Sequence, residues 1–161
     1  MALEPVCAGP QHRFAGVENV LVCVYWGAPP AEALHDRVPW VEQAIARYGA
    51  IGVFVVVPPE ASGHLPDRAF REESRAQADR FREGIRFSAS VIEGDDVQHA
   101  LIRTFLRGLA VVAARGMEVR FFRSVHDGAA WASERAAALG GPSPRSLVEA
   151  VEALRAQGPG R

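Results

Sequence analysis

Apolar and polar positions along this chain repeat with two different periods, and the changes of period mark its elements. Residues 50–57, AIGVFVVV, carry no charge, are rich in β-branched side chains and are bounded by Tyr48-Gly49 and Pro58-Pro59. That pattern predicts a strand buried on both faces, which needs helices on each side of its sheet. In residues 19–26, Val20, Val22, Val24 and Trp26 alternate with Leu21, Cys23 and Tyr25. Both sets are apolar, so this strand is interior as well. A short strand at 11–15 turns into it and forms a hairpin. Residues 1–10 show no periodicity and read as a flexible arm.

Helical spacing follows. Leu34, Val38, Val41, Ile45 and Tyr48 form one stripe, interrupted by Pro39, which predicts either a kink or a helix that starts there. Asp67 caps a helix over 68–83 whose apolar face is thin, with Phe70, Ala78 and Phe81 among charges. Ile85, Phe87, Ala89 and Val91 alternate with Arg86, Ser88 and Ser90, a strand with one buried and one wetter face. In the helix over 97–115, Ile102, Phe105, Leu109 and Val112, flanked by Leu101 and Leu106, predict a broad core face. His99, Arg103 and Arg107 stripe the other side, Asp95 or Asp96 caps the start, and Gly108 implies close approach of another element. A strand at 118–122 leads to a helix over 125–139, capped by Ser124 with Asp127. After Gly140-Gly141-Pro142, a last helix at 143–156 carries Leu147, Val151 and Leu154.

The order is ββαβαβαβα. It predicts an α/β domain over 11–139, built on a mixed, mostly parallel five-stranded sheet with flanking helices, and a linker plus extra C-terminal helix over 140–161. At 161 residues and 48% hydrophobic content the chain suffices for one such core.

Charge removes several function classes. Eighteen basic residues, all arginine, nearly cancel 19 acidic ones, so no global field favours nucleic acid. No basic leader precedes an apolar run and no run of about 18 apolar residues occurs, so a soluble, cytoplasmic protein without integral membrane contact is expected. Cys7 and Cys23 are too few for a zinc knuckle or disulfide framework. GxGxxG, GxxxxGK[ST] and GxSxG are absent, which argues against nucleotide enzymes and serine hydrolases.

The run SVIEGDDVQHALIRTFLRGLAVVAARGMEVRFFRSVHDGAAWA (residues 90–132), with the earlier NVLVCVYWG, resembles the small STAS-like domains of the anti-sigma-factor antagonist superfamily, in an uncharacterised bacterial branch. The likeness covers residues 12–138. It implies a regulatory, non-enzymatic domain that acts by contact with a protein partner or as a homodimer, without cofactor or metal. In that superfamily a serine or threonine in the loop after the central strand is phosphorylated, and the matching position here is Ser62 in Glu60-Ala61-Ser62-Gly63.

Open α/β sheets bind ligands beyond the carboxyl ends of their strands. Those ends supply Trp26, Glu60, His64, Asp95, Asp96, His126 and Asp127 as a candidate cleft for a small molecule or lipid, the alternative to a protein-contact function. A metal site or acid-base pair from His64, His126 and an aspartate is a third reading, although no HxH, HExxH or CxxC sets a ligand spacing. His99, Arg103 and Arg107 form the candidate partner surface, a basic ridge along their helix.

Overall fold

Three strands, not two, open the chain. In the computed structural model, which describes residues 2–113 and 116–160, β1 (Glu4–Gly9) pairs antiparallel with β2 (His12–Val17), and β2 with β3 (Val20–Tyr25). The segment expected to be a flexible arm is thus an edge strand. Its periodicity is broken because the register shifts between Pro5 and Cys7, and a bulged edge is where a sheet tolerates proline. Val6 and Cys7 still pack against the core.

From β3 onward the sheet is parallel. β4 (Ile51–Val57), β5 (Ile85–Ile92) and β6 (Glu118–Phe122) add one after another, so all six strands lie in chain order. The sheet is mixed, as expected, but among the described residues it has six strands rather than five.

Right-handed crossovers between strands in unbroken order place their helices on one face. These are α1 (Ala31–Tyr48), α2 (Arg68–Arg80) and α3 (Val97–Ala113), with α2 packed between the other two. The opposite face is covered by α4 (Val125–Ala136) over β4, β5 and β6, and by α5 (Pro144–Gln157) over β2 and β3. A 3-10 turn at Ala137–Leu139 and the break that follows join α4 to α5. The break is a tight corner and not a linker, because Leu147, Ala150, Val151 and Leu154 are buried in one cluster with Val20, Val22 and Val24.

Local chemistry sets the element ends. Asp67 accepts from the Phe70 N–H at 2.9 Å to start α2, and Ser124 accepts from the Asp127 N–H at 3.1 Å to start α4. Gly49, at φ +84°, terminates α1, which runs through Pro39 with that residue on its exposed side. A Cβ at Gly84 would run into Ile45 of α1, so its absence lets the helix approach β5. The expected role of Gly108 changes. Gly108 meets no neighbour and faces outward. No helix of the described residues is long and apolar enough to cross a membrane.

Candidate functional site

The alternation in β5 builds a floor. Phe87, Ala89 and Val91 belong to the cluster under α4, which turns Ser88 and Ser90 toward α1–α3. There they pair in register with Val53 and Val55 of β4. Four small or medium side chains side by side, beneath a helix α2 that contributes only Phe70, Ser74 and Ala78, cannot fill the space between sheet and helices. A cavity of about 170 Å³ remains. Leu34 and Arg37 of α1 close one side, Leu106 and Leu109 of α3 the other.

A smaller cleft of about 50 Å³ adjoins it at the carboxyl ends of β3 and β4. The two spaces share Tyr25, Val55, Phe70 and Leu106, and the cleft continues outward past Gly27, Ser62 and His64. Tyr25 stands at the junction. Burial pushes its hydroxyl well above the ordinary tyrosine value, against the opposing pull of Arg37, so it is a protonated donor at neutral pH.

The acidic residues of the strand-end edge are engaged elsewhere. Asp96 caps α3 by accepting from the His99 N–H at 2.8 Å, and the same oxygen lies 2.8 Å from His99 Nδ1. The other ring nitrogen, Nε2, is 3.0 Å from the Pro58 carbonyl. Burial alone would lower the His99 pKa, but the bond to Asp96, with the Pro58 carbonyl behind it, more than offsets this and raises it. Backbone and side-chain bonds from His99 hold the Asp96 carboxyl below its ordinary value. Asp95 lies 3.5 Å from Arg123 and 4.0 Å from Arg103. Arg155 of α5 reaches Glu93 at 3.0 Å and Glu60 at 3.6 Å.

Of the seven expected cleft residues, only His64 lines the cleft. Trp26 turns its side chain to the cluster under α4 and α5, as the alternation of β3 requires, while its carbonyl accepts from the Ser62 N–H at 2.9 Å. Glu60, Asp95 and Asp96 are tied into the pairs just described. His126 and Asp127 are exposed in the first turn of α4 and do not join His64, which sits on the α1–α3 side. No group of three or more histidines, cysteines, aspartates or glutamates able to hold a metal occurs among the described residues. The thiols offer no nucleophile, since burial pushes both up, Cys7 to about 12.

The expected basic ridge is also corrected. His99 is 1% exposed and the Arg103 side chain 13%, and Arg103 donates to the carbonyls of Ile92, at 2.9 Å, and Gly94. The polar stripe of α3 turns inward, His99 against the Pro58 carbonyl just past β4 and Arg103 against the carbonyls of Ile92 and Gly94 at the end of β5. Only Arg107 stays exposed, over the Phe121 ring at 5.7 Å. The rotation leaves Val97, Leu101 and Val111 outside, at 76%, 54% and 83% exposure.

Sequence reasoning missed Tyr25, Arg37, Ser88 and Ser90 as site residues. The wet face of β5 beneath a thin-faced helix was the signal for Ser88 and Ser90, whereas no pattern marked Tyr25 or Arg37. Comparison with protein-family models, curated proteins and solved structures finds no match for this chain.

Proposed function

We propose that this chain is a non-enzymatic binding domain that holds a small, mainly apolar molecule beneath α1–α3, with the strand-end cleft as its mouth. The observation that carries this reading is the cavity of about 170 Å³ beside a sheet whose other face is filled. Protein interiors leave few voids larger than a water, and an apolar cavity of about 150 Å³ is enough to admit benzene. No acid, histidine or cysteine lines it among the described residues, which supports binding over catalysis. Native mass spectrometry of the protein purified from its own host tests this. Added mass that is lost on denaturation, and is missing from a folded Ser90→Leu variant, is expected; bare wild-type protein would sink the reading.

A second reading, contact with a cytoplasmic protein partner, is favoured by the exposed Val97, Leu101 and Val111 on α3 and by the STAS-like pattern. Under this reading Leu101→Asp lowers partner recovery from host cells while leaving ligand mass unchanged. Equal recovery with wild type would remove it.

A further inference from the structure

Among the described residues, both charged side chains that line the cavity are cationic, Arg37 and Arg82, and they are not equivalent. Arg82 is half exposed and already donates to Asp79 at 2.9 Å. Arg37 forms no salt bridge among the described residues. Its Nε donates instead to Oε1 of Gln77 at 2.8 Å.

Gln77 is an unusual residue to find there, 1% exposed on a helix that is otherwise mostly solvated. Its amide is committed at both ends. While Oε1 holds Arg37, Nε2 donates to the Leu34 carbonyl at 2.7 Å and to Glu73 at 2.8 Å. The amide therefore cannot turn its nitrogen toward the arginine without abandoning two acceptors. Glu73 feels the Arg37 charge, but its carboxylate is taken by Gln77 and by His35 at 3.1 Å, and it does not line the cavity. A guanidinium held by its Nε through a neutral amide keeps its terminal N–H groups for another acceptor, and those groups match a carboxylate in a two-pronged way.

Resting on the cavity reading above, we infer that the ligand is a small apolar carboxylate: its hydrocarbon part lies over Val53, Val55, Leu106 and Leu109, and its carboxylate meets Arg37, which Gln77 positions. The hydroxyls of Tyr25, Ser88 and Ser90 lie along the same wall and floor as further donors. A neutral ligand of the same shape would leave the partly buried guanidinium without its counter-charge.

The test compares acid and alcohol of matched length, phenylacetate against 2-phenylethanol and hexanoate against hexan-1-ol. It follows the backbone amide resonances of β5 by NMR titration at neutral pH. In wild type the acids bind at least about tenfold more tightly than the alcohols, as a charge-assisted pair implies. In Arg37→Gln that preference falls to near unity while the alcohols bind as before. Arg37→Lys keeps part of it. Equal affinity for acid and alcohol in wild type, whatever the variants do, overturns the carboxylate inference and leaves the cavity reading standing. Failure of all four probes to shift β5 overturns both.

Discussion

One sheet presents two different interiors. Under α4 and α5, Phe54, Phe87, Val91 and Trp131 fill the space, with Phe87 and Trp131 meeting edge to face at 5.9 Å. Gly128 lets α4 come so near that a Cβ there would strike Val91 and Phe54. Under α1–α3 the same β4 and β5 strands carry Val53, Val55, Ser88 and Ser90, and a cavity remains. Successive residues of a strand belong to opposite faces, so a pattern such as Phe87-Ser88-Ala89-Ser90-Val91 writes both interiors at once. The closed face, under α4 and α5, is filled along β4 and β5, whereas the open face under α1–α3 keeps its cavity beside a core of Phe14, Leu21, Val41 and Ile51.

Substitutions can break this contrast. The largest effect is expected from Phe54→Ala on the closed face, where the ring is wholly buried; a loss of about 3–5 kcal/mol should appear in urea unfolding. A smaller loss from this change than from Val55→Ala would refute the contrast. Next comes a matched pair of enlargements. Ala89→Leu should overpack the closed face and cost about 1–3 kcal/mol, whereas Ser90→Leu, one position along, has room and should cost less than about 1 kcal/mol. Equal costs would mean that the open face is as full as the other.

The smallest effect concerns the clamp at the edge of the open face. The His99 pKa is raised in the folded protein, so its contribution is complete below the unfolded value of about 6.5 and is lost as pH rises through the folded value. The Asp96 carboxyl is lowered, so its contribution is present above its unfolded value and is lost as pH falls through the folded one. His99→Gln should therefore destabilise the protein more at pH 5.5 than at pH 8.5. A urea midpoint difference independent of pH across that range would show that the imidazole is not bound as its cation.

Much of the sheet and of the helix starts was legible in the chain. The uncharged run at residues 50–57, the caps at Asp67 and Ser124 and the two-sided alternation of residues 20–25 each combine local preference with burial, and local preference and tertiary contact agree there. Legibility failed where tertiary demand overrode pattern. β1 was hidden by Pro5 and by the half-solvated nature of an edge. On α3, periodicity ranked Leu101 as core and His99 as surface, but contacts with the carbonyls of Pro58, Ile92 and Gly94 hold His99 and Arg103 inside and leave Leu101 outside. The expected cleft residues do not converge for a related reason. Acids gathered at the strand ends by topology pair with arginines, while the cavity is a shortage of side-chain volume, which residue types announce only faintly.

The strands' spatial order has a consequence for how the protein is made. Each strand from β2 to β6 docks on the one synthesised just before it, so the sheet can lengthen residue by residue as the chain leaves the ribosome. α5 departs furthest from that order, since it lies across β2 and β3, far behind it in the chain. Until it arrives, Val20, Val22 and Val24 lack part of their cover, and a nascent chain stalled before residue 144 presents a greasy flank to any chaperone or neighbouring chain.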